Sequence, residues 1–73
     1  MPSPELNRLR AAAALIPIIE SGLAEFKLSV ERAALMASFC EWAAELTPSE
    51  PEEIKLSENI REGLQRLKIR LSE

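Results

Sequence analysis

The chain has 73 residues, of which 47% are hydrophobic and 29% are charged, and its net charge is −3. This length allows one small domain, and the balance of apolar and charged residues is typical of a globular chain rather than a disordered one. The negative net charge excludes a general attraction to nucleic acid or to an anionic membrane surface.

The residue inventory argues against an enzyme. Histidine, the commonest general base and metal ligand near neutral pH, is absent, and Cys40 is the only cysteine. The chain therefore has no internal disulfide and no paired-cysteine zinc motif, and its two isolated glycines form no phosphate-binding loop. We expect no catalytic residue, no metal and no cofactor, and we interpret Cys40 as a small buried hydrophobic residue.

No stretch is typical of a signal peptide or of a membrane span. The candidate apolar run, residues 11–19, is much shorter than the roughly 20 residues that a spanning helix needs. A lone thiol fits a reducing compartment, so we expect a soluble, cytoplasmic protein that does not engage a membrane.

The first predicted helix covers residues 4–26. Ser3 is a suitable N-cap, and the proline and glutamate that follow it favour the first helical turn. Pro17 lies inside the helical pattern and predicts a kink or an early end, because proline has no N–H to donate to the preceding turn. Leu23 and Phe26 are expected to extend the apolar face of this helix.

The second predicted helix covers residues 30–46, with Ser29 as its N-cap. Its apolar residues divide by size into two faces, with a narrow polar strip on the remaining side. The bulky face consists of Leu35, Met36, Phe39, Trp42 and Leu46. The small face consists of Ala33, Ala37, Cys40 and Ala44.

These two faces make the second helix unusually apolar. An ordinary surface helix needs one apolar stripe a little over 100° wide, and this helix has about twice that. Bulky faces fill cores, whereas small-residue faces permit close approach of another backbone. The pattern predicts that one face is covered within the chain, and it leaves open whether the second is core or an oligomer interface.

The third predicted helix covers residues 50–71. A capping box formed by Ser49 and Glu52 fits its start better than the alternative box formed by Thr47 and Glu50. Its leucines and Ile60 form one stripe that also contains Gly63. Residues 67–71, however, alternate apolar and charged side chains, which is the period of a strand. Helix is preferred there. Ile54 and Ile69 then fall outside the stripe.

A basic segment near the end of the third helix offers an alternative function. This segment contains four cations and one acid. If the helix bound nucleic acid, these cations would contact the phosphates. The four cations are Arg61, Arg66, Lys68 and Arg70. Acids at the start of a helix and bases at its end also simply complement the helix dipole, and no aromatic residue is interleaved for base stacking. Nucleic acid is therefore not the expected partner.

These observations predict an all-α fold, either a small three-helix bundle or a helical hairpin with an extra helix, within a single domain over residues 1–73. We expect it to be a non-enzymatic protein–protein interaction module, such as an adaptor, an assembly factor or an inhibitor. The apolar faces of the second helix are its expected interface, and a homodimer is the expected assembly, because twofold dimers are the commonest oligomers.

Overall fold

The computed structural model describes residues 3–72, which form three helices: α1 (Pro4–Ala24), α2 (Val30–Ala44) and α3 (Pro51–Leu71). Each helix packs against both of the others, so the chain is a small all-α three-helix bundle, and the predicted fold class is confirmed. Residues 67–71 lie within α3, and the alternative of a strand there is wrong.

Contacts between side chains define the directions of the helices. The Cys40 thiol lies against the backbone of Ala12, and Leu28 packs against Gly22, so α1 and α2 run antiparallel. Gly63 faces Ile16 across the seam between α1 and α3. A second contact, between Glu20 and Arg66, follows further along both helices, so α1 and α3 run parallel.

The two predicted serine caps are confirmed. The Leu6 N–H donates to Ser3 Oγ over 3.1 Å, and the Arg32 N–H donates to Ser29 Oγ over 3.1 Å. Each serine satisfies a backbone donor that has no partner within its own helix. Helix α1 continues for seven residues beyond Pro17, whose side chain is exposed, so an early end at this proline is wrong.

The end of α1 differs from the prediction. The Lys27 N–H donates to the Gly22 carbonyl over 2.9 Å and the Phe26 N–H donates to the Leu23 carbonyl over 3.3 Å, which is the bonding pattern of a Schellman motif. Phe26 takes the left-handed position of this motif, with φ of 58°, and its side chain is 95% exposed. Phe26 therefore does not extend the apolar face, because the chain has already turned away from α1.

The start of α3 also differs from the prediction. Its N-cap is Glu50, whose side chain makes no capping hydrogen bond, so neither predicted capping box forms. Instead, the backbone N–H and the hydroxyl of Ser49 donate to Glu53 Oε1 over 3.2 and 3.3 Å. Glu53 lies in the first turn and is 9% exposed, and this carboxylate gains its two donors from the loop before the helix.

The core is divided unequally among the helices. α1 and α3 contribute most of its large side chains, which are Leu9, Ile16, Ile19, Ile60, Leu64 and Leu67. α2 contributes small ones, which are Ala33, Ala37, Cys40 and Ala43. A close-packed interior has room for large side chains from two helices only where the third helix supplies small ones.

Candidate protein-interaction surface

The small face of α2 points into the bundle. Ala33, Ala37 and Cys40 are buried, and Ala44 is half-buried against the core. The Cys40 thiol donates to the Ala12 carbonyl over 3.6 Å, a distance that requires the backbones of α1 and α2 to approach closely. The small face is therefore covered by the chain's own helices.

Cys40 sits in an environment that suppresses thiol chemistry. Burial raises the pKa of the Cys40 thiol, and the neighbouring Glu41 carboxylate raises it further. A raised pKa lowers the fraction of the reactive thiolate, and the buried position blocks access to it. This geometry suits a structural thiol and gives it no means of acting as a nucleophile.

The bulky face of α2 is left largely uncovered. Leu35 is 73% exposed, Trp42 is 50% exposed and Phe39 is 38% exposed. Met36 and Leu46 are half-buried against the core, and Leu46 lies just beyond the end of α2. The structure thus separates the two apolar faces: the small one is core, and three large side chains of the bulky one face outward.

The aromatic residues on this surface are held in place. The Arg8 guanidinium carbon lies 3.1 Å from the centre of the Trp42 ring, and Arg8 Nη2 donates to the Trp42 carbonyl. The rings of Phe39 and Trp42 have centroids 5.8 Å apart and are tilted by 40°. Such contacts restrict the side-chain rotamers before any partner arrives, which lowers the entropy cost of binding. The sequence patterns did not identify Arg8, because its role depends on α1 lying beside α2.

The exposed apolar surface continues onto α1. Ile18 is 58% exposed and lies within about 80° of Arg8 on the helical wheel of α1, on the same side as Leu15. Because α1 and α2 are antiparallel and Arg8 lies beside Trp42, Ile18 lies towards the Leu35 end of α2. The seam between α1 and α2 therefore carries apolar side chains along its length.

The ion pairs between helices lie elsewhere. Those found within residues 3–72 are Arg10–Glu52 at 2.7 Å, Glu20–Arg66 at 3.1 Å and Glu41–Lys68 at 3.8 Å. Every one of them joins α3 to another helix. In the part of the chain that the structure describes, no ion pair joins α1 to α2, so charge pairing connects α3 to both other helices but does not connect α1 with α2.

The four basic residues near the end of α3 do not all lie on one surface, although Arg61 and Arg66 line the same shallow depression. Arg66 and Arg70 lie on one side of α3, whereas Arg61 and Lys68 lie about 140–180° away from them around the helix. Two of the four already have intramolecular partners, since Arg66 contacts Glu20 and Lys68 contacts Glu41. This arrangement does not favour a single phosphate-binding surface, and the nucleic-acid alternative stays a prediction that a salt titration of binding would test.

Two kinds of feature are absent from residues 3–72. No cluster of three or more cysteine, aspartate or glutamate side chains is placed to hold a metal ion. None of the helices has the length and apolar character that crossing a membrane requires.

Taken together, the fold and the surface define a class of protein: a compact three-helix bundle with a core-facing small face and an outward bulky face on the same helix. No family model matches the chain, and neither a curated protein nor a solved structure shows detectable similarity to it. The surface itself is therefore the available indication of function.

Proposed function

We propose that this chain is a non-enzymatic protein–protein interaction module that self-associates through the exposed residues of the bulky face. The observation that carries the proposal is the outward position of Leu35, Phe39 and Trp42. These residues recur at the spacing with which one helix packs against another, and tryptophan is among the residues that most often dominate binding energy.

A protein partner suits this surface better than a small molecule does. The cleft beside Trp42, which is lined by Pro4, Glu5, Arg8 and Leu46 as well, has a volume of about 220 Å³. Ligand pockets usually enclose about 300–1,000 Å³, so this cleft is too small to bury a typical ligand. A helix face of another chain, by contrast, needs no pocket and matches a convex apolar ridge.

The proposed role is that of an adaptor, an assembly factor or an inhibitor in the cytoplasm. The chain has no histidine, and its one thiol is buried with a raised pKa, so its residues supply no evident nucleophile or neutral-pH base. A free thiol also fits a reducing compartment. These features support a binding role rather than a catalytic one.

The test is the solution mass of the protein across a concentration series, measured by sedimentation equilibrium. We expect the wild-type chain to pass from monomer to dimer as its concentration rises. Leu35→Glu should raise the dimer dissociation constant more than about tenfold, because it replaces an apolar contact by a desolvated charge. Leu35 is exposed in the monomer, so this variant keeps its fold.

Ile69→Glu is the matched control. Ile69 is an exposed aliphatic residue on α3, 58% exposed, and its substitution changes the charge by the same amount. It should leave the dissociation constant unchanged. A wild-type chain that stays monomeric at every concentration would overturn the proposal, as would equal weakening by both variants.

A further inference from the structure

The charges that border the bulky face carry information about the orientation of the dimer. On the helical wheel of α2, Arg32 lies about 50° to one side of the centre of this face, and Glu31 lies about 50° to the other side. Glu45 lies further round on the same side as Glu31. The face therefore has a basic edge and an acidic edge.

The neighbouring helices show which edge is which. Glu41 lies on the acidic side of α2 and contacts Lys68, so the acidic edge is directed towards α3. The basic edge is then directed towards α1, where Arg8 lies over Trp42 and adds a second cation. Arg32 and Glu31 mark the N-terminal end of α2, and Arg8 and Glu45 mark its C-terminal end.

Three of these four edge charges, Glu31, Arg32 and Glu45, have no charged or hydrogen-bonding partner for their side chains within the described residues 3–72. Other carboxylates on the bundle pair across helices. Arg8 makes its hydrogen bond with a backbone carbonyl and not with an acid. The charged groups of Glu31, Arg32 and Glu45 therefore remain available to another chain, whereas Arg8 is already in contact with Trp42.

From this pattern we infer that the partner is a second copy of the chain, bound with the two α2 helices parallel. The inference rests on the proposed function. A twofold axis parallel to α2 turns the basic edge of one protomer onto the acidic edge of its partner at the same level. Arg32 then faces Glu31 of the other copy, and Arg8 faces Glu45.

An antiparallel pair has the opposite electrostatics. A twofold axis perpendicular to α2 brings like edges together, so that Arg32 meets Arg8 of the other copy and Glu31 meets Glu45. Like charges placed opposite each other across an interface disfavour that arrangement. The apolar residues alone do not decide the orientation. Their spacings of four, three and four residues are identical in both directions along the helix.

The test compares dimer dissociation constants at low ionic strength. Arg32→Glu should raise the constant about tenfold, because two symmetry-related attractions become repulsions. Adding Glu31→Arg to that variant should restore wild-type association, since the pair is rebuilt with its signs exchanged. Lys55→Glu, an exposed site on α3, makes the same change in net charge and should leave the constant unchanged.

Each result decides between arrangements. Tighter association of Arg32→Glu would overturn the parallel orientation in favour of the antiparallel one, in which Arg32 is repelled. An unchanged constant, or weakening that Glu31→Arg does not reverse, would also overturn it. A wild-type monomer at every concentration is a different failure, that of the self-association itself. Circular dichroism of each variant verifies the fold, and Arg32→Glu places a favourable acid in the first turn of α2.

Discussion

At the residue scale, Phe26 adopts a backbone conformation that its side chain does not favour. Its φ of 58° places it in the left-handed region, where the Cβ atom of any L-residue approaches the following carbonyl. Glycine is the usual residue at this position of a Schellman motif. Because the Phe26 side chain is exposed, its burial does not offset this strain. The tight turn between α1 and α2 therefore lowers the free energy of unfolding.

Replacing this residue tests the cost directly. Phe26→Gly should increase the free energy of unfolding by about 1 kcal/mol, since glycine enters the left-handed region without a Cβ clash. Phe26→Ala retains the Cβ atom and should give no comparable gain. Urea unfolding followed by circular dichroism measures both variants. A less stable Phe26→Gly variant would show that the aromatic ring contributes more than its exposure suggests.

Cys40 leads to a prediction about thiol reactivity. Because the thiol is fully buried and burial raises its pKa, we expect a thiol-specific reagent to modify it at the rate of global unfolding. A Ser38→Cys variant provides the comparison, since residue 38 is exposed on the polar strip and its thiol should react at once. Rapid modification of Cys40 in the folded wild-type chain would show that α1 and α2 separate locally.

At the scale of elements, the packing of α1 on α3 depends on Gly63. A Cβ atom at this position would lie 2.5 Å from Ile16 Cγ2, a distance at which either the Ile16 side chain or the helices must shift. Alanine improves helix propensity by about 1 kcal/mol over glycine, but overpacking costs about 1–3 kcal/mol. We therefore expect Gly63→Ala to lower the free energy of unfolding by about 1 kcal/mol.

A double-mutant cycle identifies the cause. In an Ile16→Ala background the clashing methyl group is absent, so Gly63→Ala should be neutral or stabilising there, and the two substitutions should be non-additive. Denaturant unfolding of the four variants gives the interaction energy. Equal effects of Gly63→Ala in both backgrounds would be inconsistent with the contact between these two residues.

The pair of Glu20 and Arg66 predicts a pH dependence of stability. Arg66 Nε and Nη2 donate to the two carboxylate oxygens of Glu20 over 3.2 and 3.1 Å. These hydrogen bonds, assisted by the charges of Arg66 and Arg70, lower the pKa of Glu20 below 4.5 although partial burial opposes them. The unfolded chain therefore binds the proton more readily than the folded chain does.

The sign of the effect follows from this difference. The stabilisation by the charged Glu20 is complete above about pH 4.5 and is lost as the pH falls through the lowered pKa. Glu20→Gln should therefore destabilise the protein at pH 7 and have little effect at low pH. Unfolding curves at several pH values provide the measurement, and a difference that grows at low pH would contradict it.

The elements themselves follow largely from local chemistry. The serine caps and the 3.6-residue periodicity correctly predicted three helices, with starts at Pro4 and Val30. The ends were less predictable, because Phe26 enters a turn that glycine normally forms and Glu53 takes its hydrogen bonds from Ser49. The position at which each helix ends depends on where the backbone groups of the following loop lie. A local sequence pattern does not specify those positions.

The orientation of α2 shows what periodicity leaves open. Both faces of α2 are apolar, so its pattern alone does not state which one is buried. Side-chain volume decides, because Ile16 and Ile19 from α1 and Leu67 from α3 already fill the interior and leave room only for small residues. The choice between the two faces was therefore a property of the whole bundle and not of α2.

At the scale of the whole molecule, the bundle is thin. Its principal dimensions are only 37 × 20 × 15 Å. Chains of this size bury only about 60% of the surface that they expose when unfolded. Association through the bulky face would add a second apolar layer beside α2, so dimerisation and folding stability should be linked.

This linkage predicts a melting temperature that depends on concentration. If the folded chain dimerises and the unfolded chain does not, mass action stabilises the folded state as concentration rises. A tenfold increase should raise the midpoint by about 3–6 °C, because it contributes about 0.7 kcal/mol per chain and each kcal/mol shifts a domain of this size by about 4–8 °C. Leu35→Glu should abolish the dependence, whereas Ile69→Glu should preserve it. A midpoint that is the same at all wild-type concentrations would contradict a dimer that contributes to stability.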